Sequence, residues 1–471
     1  MRMRRKLCII LLLFLASNCY SDDPVPLGSA VYLFLDRLAS QGYIPLLAKS
    51  LPMSKEEAVR LLNEAHESVK YDVDKKRIER YLKLLSKGPR WDFDLEGGIR
   101  REKASILDVN ACVWGKLLEG MRFGEEIRWS LISGEVDRLP YATEHITDLG
   151  EGRRSISELN AYITLGLSSI RVKAGRCKVR WGPGIFGAPT LSDNPPPMDL
   201  MEIKLPLDPL HFTFLIASLK DETKKYLTAH RLEWPVLPWL ILGLSEEGVV
   251  INEFKPKYLN PFLIYFVTEE KEDKDAPQNR MISFDAQMRP LSGIRLYWEL
   301  TVDDFQPKLG FRHPGTKFAL LLGAHLALPY IPQLGFLCEY AFANQFMYTT
   351  TTAYSPPSKA YTHAGYTLGH RIGPDSDSLD LNLRYTLSDA ADVFISWRME
   401  RHGEGGLDKP FDPSLHKRWE FLSGEVKTQK SLALGLTYDT IDRYSLSASV
   451  LKEEGDIRFQ LSAAGKLRIR R

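Results

Sequence analysis

From about Trp91 onward, apolar and polar residues alternate with a period of two in one short run after another, with turn residues between the runs. Residues 379–387 are the clearest case. Leu379, Leu381, Leu383, Tyr385 and Leu387 fall on one face of an extended chain, and Asp380, Asn382, Arg384 and Thr386 fall on the other. Residues 295–302, 392–400 and 444–451 alternate at least in part. Such runs continue through the remaining ~380 residues, too many for one sandwich. They predict about 18 antiparallel strands, and a bacterial barrel requires an even number.

Two all-β architectures share this alternation. A soluble sandwich turns its apolar face inward, whereas a transmembrane barrel with a wet interior turns that face outward to lipid. Aromatic residues near expected strand ends, Tyr297, Trp298, Tyr330, Tyr340 and Tyr348, favour the barrel, whose rims carry aromatic girdles. The fold class expected is therefore an all-β transmembrane barrel over residues 91–471.

The stretch before Trp91 has a different period. Val31, Leu35 and Leu38 recur at helical spacing, and Gly42 is placed to end that helix. Ser54-Lys-Glu-Glu57 reads as a capping box opening a second helix through Leu61 and Leu62, and Asp74 is expected to cap a third through Ile78, Tyr81, Leu82 and Leu85. A three-helix element of about 65 residues is small for an independent core. Residues 22–90 are therefore expected to be a periplasmic helical element docked on the barrel rim.

At the extreme N-terminus Arg2, Arg4, Arg5 and Lys6 precede an apolar run over residues 7–16, too short to span a bilayer as a helix. Residues 1–21 read as a signal peptide cleaved after Ser21, so the chain is exported. Lipidation at Cys19 is the rival reading of the same segment. No apolar run of about 18 residues follows. An exported chain rich in aromatic residues, with 20 Tyr, 21 Phe and 9 Trp, and without a spanning helix is either a soluble periplasmic protein or an outer-membrane barrel. Beyond the leader, Cys112, Cys177 and Cys338 are odd in number and without paired spacing, which indicates neither a disulfide framework nor a zinc site. The net charge of +2 offers no basic field for nucleic acid.

One segment fits neither period. Residues 180–199 read Arg-Trp-Gly-Pro-Gly-Ile-Phe-Gly-Ala-Pro-Thr-Leu-Ser-Asp-Asn-Pro-Pro-Pro-Met-Asp. Gly182, Gly184 and Gly187 permit angles closed to other residues, and Pro183, Pro189 and Pro195 to Pro197 fix φ, so the segment is a shaped loop that holds its polar and aromatic groups in place. It closely resembles the Trp-Gly-Pro-Gly turn and Leu-Ser-x-Asn-x-Pro-Pro-Met-Asp run of the Wzi capsule-assembly family of Gram-negative outer-membrane proteins. Further matches occur in order along the chain, at residues 34–45, 52–58, 226–234, 258–261, 302–306, 360–363 and 368–377. The helical stretch is also similar, more distantly, to surface-layer homology modules that hold cell-wall polymers. The C-terminus departs from the barrel pattern, ending Leu467-Arg-Ile-Arg-Arg471 without a terminal aromatic residue. The resemblance implies a monomeric, lectin-like protein of the cell outer membrane, in contact with its lipid, that assembles or attaches capsular or other extracellular polysaccharide.

Catalytic signatures are absent from the sequence. There is no Gly-x-Ser-x-Gly elbow, phosphate-cradling loop or His-Glu-x-x-His helix, and no cofactor or metal is expected. The neighbouring acids Asp303 and Asp304 suit a barrel wall better than sugar hydrolysis. A polysaccharide is gripped by aromatic faces and by groups that hydrogen-bond its hydroxyls. Arg180, Trp181, Asp193, Asn194, Asp199, Tyr361 and His363 have that chemistry. Their structural alternative is a loop folded into the barrel, with Arg180 paired to Asp199 and Trp181 packed beneath the prolines. The functional alternatives are a diffusion channel and, behind it, a barrel hydrolase.

Overall fold

The computed structural model describes residues 23–86, 91–101, 105–134, 139, 141–167, 170–221, 223–252, 254–265, 278–304, 310–311, 313–328, 330–351, 359–440, 444–453 and 456–470. The signal peptide and Cys19 lie outside the described residues.

Eighteen strands form a closed antiparallel ring among the described residues. In chain order they are β1 Trp91–Arg101, β2 Ser105–Leu118, β3 Met121–Ser133, β4 Arg153–Leu167, β5 Ile170–Cys177, β6 Met198–Leu207, β7 Leu210–Leu219, β8 Lys225–Leu237 and β9 Leu240–Ile251. The second half comprises β10 Gln278–Leu291, β11 Ile294–Asp304, β12 Lys317–Leu326, β13 Leu334–Ala343, β14 Ser376–Thr386, β15 Ala391–His402, β16 Lys427–Thr440, β17 Tyr444–Glu453 and β18 Asp456–Arg470. Each pairs with its sequence neighbours, and the seam closes between β1 and β18 from Asp92↔Arg470 to Arg100↔Ser462. The short strand His145–Gly150 extends the ring locally by pairing along β4.

The burial of β14 decides between the two all-β architectures. Asp380 and Asn382 are 4% and 7% exposed, while Leu383, Tyr385 and Leu387 are 37%, 39% and 52% exposed. The polar face is the inside and the apolar face the outside, the inverse of a sandwich and the arrangement a lipid-embedded barrel requires. The girdle residues only partly match expectation. Tyr297 sits inside the ring, 2% exposed and hydrogen-bonded to Glu339 at 2.8 Å, and Tyr348 is fully buried in the lumen. Both lengthen the interior network rather than the rim. An outer aromatic cluster forms instead from Phe311, Phe318, Phe342 and Phe421, with ring centroids 4.9–5.7 Å apart along the chain of contacts.

The two ends of the barrel differ. Tight turns such as 119–120, 208–209, 238–239 and 292–293 lie at one end, and the long connections 134–152, 178–197, 252–277, 344–375 and 403–426 lie at the other. Three helices pack on the tight-turn end: α1 Ala30–Gln41, α2 Lys55–Ser68 and α3 Asp72–Ser86. Ser29 caps α1, and Gly42 (φ 87°) ends it by donating its N–H to Ala39 and Leu38 carbonyls. The Ser54 hydroxyl accepts the Glu57 N–H at 3.1 Å, which satisfies one orphan donor of α2. Asp74 does not cap α3. It lies two residues inside that helix, fully buried, and accepts from Arg37 of α1, so it ties helices together rather than starting one.

The helices share one core of Val31, Leu35, Leu38, Leu61, Leu62, Ala65 and Ile78, among others. They dock through arginines that meet the carbonyls of barrel turns. Arg77 donates to Ser388 and Asp389 carbonyls and to the Asp392 carboxylate, Arg80 to the Asp389 carbonyl, and Arg37 to the Pro332 carbonyl. In the reverse direction Arg289 of the barrel donates to the Ala39 and Ile44 carbonyls, and Gly293 N–H to the Ser40 carbonyl at 2.7 Å.

Candidate functional site

An eighteen-stranded ring encloses a wide space, and this one is filled from both ends. From the helical end, residues 49–51 enter the ring. Lys49 N–H and the Ser50 hydroxyl both donate to Glu233 of β8, at 2.5 and 2.7 Å. The Lys49 ammonium binds Asp36 of α1 at 2.7 Å. Burial alone would raise the Asp36 pKa, but the charges of Arg295 and Lys49 outweigh it and hold it at about 2.

From the opposite end the 178–197 loop folds inward and meets that segment. Ser50 and Leu51 pair antiparallel with Trp181 and Arg180, and Gly182 N–H donates to the Lys49 carbonyl at 3.1 Å. Such a loop carries backbone donors that water would otherwise satisfy, and the wall supplies carboxylates in its place. Glu339 accepts the N–H groups of Ile185 and Phe186 at 2.7 and 2.9 Å, and Glu299 accepts the N–H and hydroxyl of Thr190 at 3.0 and 2.6 Å. The glycines serve this approach. Gly182 has φ 102°, and a Cβ there would collide with the Glu299 carboxylate. Gly184 and Gly187 keep ordinary φ angles. A Cβ would strike the Gly187 carbonyl in the first case and the His370 ring in the second, so their need is for space rather than for unusual angles.

The 344–375 connection completes the filling. The Tyr348 hydroxyl donates to the Pro189 carbonyl at 2.8 Å and accepts the His370 N–H, while Ser192 donates its hydroxyl to the Gly369 carbonyl at 2.6 Å. Enclosure drives the His370 pKa down to about 3, with the nearby Arg371 charge acting in the same direction.

The seven residues expected to grip a ligand separate into two groups. Trp181 and Tyr361 are fully buried in one apolar cluster with Val179, Leu191, Met198, Leu215 and Leu368, so they stack on protein. Arg180 donates to the Ile185 carbonyl at 3.3 Å within its own loop. Asn194 is likewise internal, donating to the Thr367 carbonyl at 3.0 Å, and Asp193 lies half-buried beside it. The expected Arg180–Asp199 pair does not form. Asp199 alternates to the outer face of β6 and takes a two-pronged contact from Arg176 of β5, both bonds at 2.8 Å.

The second group gathers at the mouth. His363 Nδ1 accepts the Lys220 N–H at 2.9 Å and its Nε2 lies 3.1 Å from Glu144, whose other oxygen is 3.3 Å from the Lys220 ammonium and 4.0 Å from Arg176. Burial lowers the His363 pKa against the pull of Glu144. His363 and Asp199 are thus joined through Glu144, Arg176 and Lys220, three residues that sequence reasoning missed. Only the antiparallel register of β5 with β6, which sets Arg176 opposite Asp199, brings this set together. Side chains of Lys220 and Asp199 are 55% and 58% exposed, so this part of the rim, unlike the buried loop, is open to solvent. Among the described residues no group of three or more His, Cys, Asp or Glu side chains is placed to hold a metal ion.

Residues 83–465 match the family described as "Capsule assembly protein Wzi". No sequence among the curated proteins matches the chain. Among solved structures the chain is similar to the Escherichia coli Wzi barrel, described as an outer-membrane protein involved in group 1 capsule assembly and a carbohydrate-binding β-barrel. That similarity has TM-score 0.62 at 15% identity and covers 96% of this chain and 99% of that one. Acinetobacter baumannii OccAB2 (TM-score 0.46, 10% identity, 81% and 98% covered) and Pseudomonas aeruginosa OccK5 (TM-score 0.44, 9% identity, 81% and 98% covered) follow at a distance that carries no argument.

Proposed function

The chain belongs to the Wzi capsule-assembly family of outer-membrane barrels, and from that premise we propose that it is a lectin-like protein that binds capsular or other extracellular polysaccharide and holds it at the cell surface. It acts as a monomer and by binding, not by turnover. The tight-turn end with its helices faces the periplasm and the long connections face outward, the usual sidedness of bacterial barrels.

The observation that supports the reading is the polar rim above a lumen packed with protein, in which Lys220 and Asp199 are exposed, Arg176 is partly buried and the Glu144 side chain lies buried between them. A diffusion channel needs an open path, and the inward 178–197 loop, bonded to Glu299, Glu339 and the Lys49 carbonyl, argues against one. The rim offers the exposed ammonium of Lys220 and carboxylate of Asp199, with Arg176 beside them, groups able to bond sugar hydroxyls. The role of the seven residues first singled out is accordingly divided: Asp199 belongs to the binding rim, the buried His363 positions Glu144 and Lys220 beneath it, and Arg180, Trp181, Asp193, Asn194 and Tyr361 hold the loop below.

Purified protein presented with the polysaccharide of its own cell tests this. Replacing Arg176 and Lys220 together by Ala is expected to weaken retention about tenfold, the loss of one to two charge-assisted hydrogen bonds. Folding of the variant is checked by the different migration of boiled and unboiled samples. Unchanged retention by the folded variant removes the rim from the site, and steady conductance of wild-type protein in planar bilayers would favour the channel.

A further inference from the structure

The helices do not close their end of the barrel completely. A cleft of about 300 Å³ opens there between α2 and the ends of β5 to β8, lined by Glu57 and Arg60 of the helix and by Arg171, Lys204, His211 and Glu233 of the strands. Beside it lies an inner chamber of about 30 Å³, and Glu57, Arg171 and Lys204 form part of the lining of both. The outer cleft has the volume of a site for a small molecule, and the inner chamber has room for about two water-sized groups.

Strand register builds the inner chamber. Thr164 of β4 lies opposite Lys173 of β5, and Lys173 lies opposite Glu202 of β6, so the three share the inward face. One oxygen of Glu202 is 3.0 Å from the Lys173 ammonium and 3.9 Å from that of Lys204. Its other oxygen and the Thr164 hydroxyl have no hydrogen-bond partner among the described residues, although both side chains line the chamber and both residues are only 3% exposed. Their neighbours are committed: Lys204 donates to the Ser50 and Pro52 carbonyls at 2.6 and 2.7 Å, and Arg171 to the Ser54 hydroxyl at 3.0 Å. A buried acceptor and a buried hydroxyl without partners cost free energy that a group entering the chamber recovers.

We propose that this cleft is a second saccharide site, at the helical mouth of the barrel, in which a sugar hydroxyl enters the inner chamber, donates to Glu202 and meets the Thr164 hydroxyl while the ring occupies the outer cleft. The unpartnered atoms set the chemistry. A carboxylate oxygen calls for a donor, which an anion lacks, and the ammonium groups beside Glu202 repel a cation. Across both spaces the lining is balanced, with Glu56, Glu57, Glu202 and Glu233 against Arg60, Arg171, Lys173 and Lys204. A neutral molecule carrying several hydroxyls meets all of these conditions. The inference rests on the reading of the protein as a saccharide binder, but the cleft shares no residue with the polar rim, so the two sites can fail separately.

The test uses the full barrel with its helices, in a detergent without a sugar headgroup, and reads binding by saturation-transfer NMR. The probes are free D-glucose, D-galactose and D-mannose, and short oligosaccharides released from the cell's own polysaccharide. At least one is expected to bind: a bound hexose identifies a free sugar as the ligand, and binding of oligosaccharides alone identifies a polymer chain. Thr164→Val keeps the side-chain shape, removes a hydroxyl that no protein group uses, and is expected to weaken binding about fivefold with heat-shifted gel mobility unchanged. His211→Trp, which crowds the outer cleft from β7, is expected to abolish binding, and the Arg176→Ala, Lys220→Ala rim variant to preserve it. If Thr164→Val does not fold, His211→Trp decides. Absence of binding to wild-type protein, binding unchanged by Thr164→Val, binding lost in the rim variant, or displacement of the sugar by inorganic phosphate would overturn the proposal; retention of whole polysaccharide, measured separately, then judges the rim on its own.

Discussion

The wall and its filling obey different rules. Along β14 the requirement is by class: Asp380 and Asn382 are polar because they face in, Leu383 and Tyr385 are apolar because they face out, and neighbouring strands repeat the scheme with other residues. In the 178–197 loop the requirement is by atom. Gly182 fits only because it has no Cβ against Glu299, and Ile185 and Phe186 are held because both carboxylate oxygens of Glu339 take their N–H groups. A hydrogen-bonded strand satisfies its backbone internally, whereas an inward loop depends on side chains placed by distant strands. Glu299 and Glu339 therefore serve two structures at once, as part of the polar face of the wall and as acceptors for the loop.

That contrast can be broken most strongly among the helices. Asp74→Ala leaves the Arg37 guanidinium buried without its carboxylate, a loss of about 3–5 kcal/mol for such pairs. The helical element should become protease-sensitive while the barrel keeps its heat-shifted mobility; loss of both together would mean that wall and helices fold as one unit. Next in size is Gly182→Ala. The positive φ and the collision with Glu299 should cost about 1–3 kcal/mol, read as faster amide exchange at residues 181–192 with protection along β11 unchanged. The smallest effect expected is that of Ser54→Ala. Removing the α2 cap should lower the stability of the helical element by about 1 kcal/mol in denaturant titration and leave exchange in the 178–197 loop as it was.

The wall was legible in the sequence because a period of two survives any choice of residue within a class, and the strand number followed from it. Helix caps at Ser54 and Gly42 were legible for a similar local reason. What escaped was set by register and by tertiary contact. Asp199 pairs with Arg176 instead of Arg180 because β5 and β6 lie side by side with these two residues opposed, a fact of pairing that no short motif encodes. Asp74 sits at a plausible cap position, yet a buried arginine on another helix claims it. Trp181 and Tyr361 carry ligand-like chemistry, but the loop that bears them turns inward and spends their faces on packing. The rim of Glu144, Arg176 and Lys220 comes from three separate segments, so nothing in the linear order marks it.

The short pairing of Ser50 and Leu51 with Trp181 and Arg180 joins material that entered from opposite mouths of the barrel. One partner is continuous with the helices and the other with the loop that approaches the polar rim. Thermodynamic linkage then sets a reciprocal condition: a ligand that orders the loop through this pairing would favour helix docking by the same free energy with which docking favours the ordered loop.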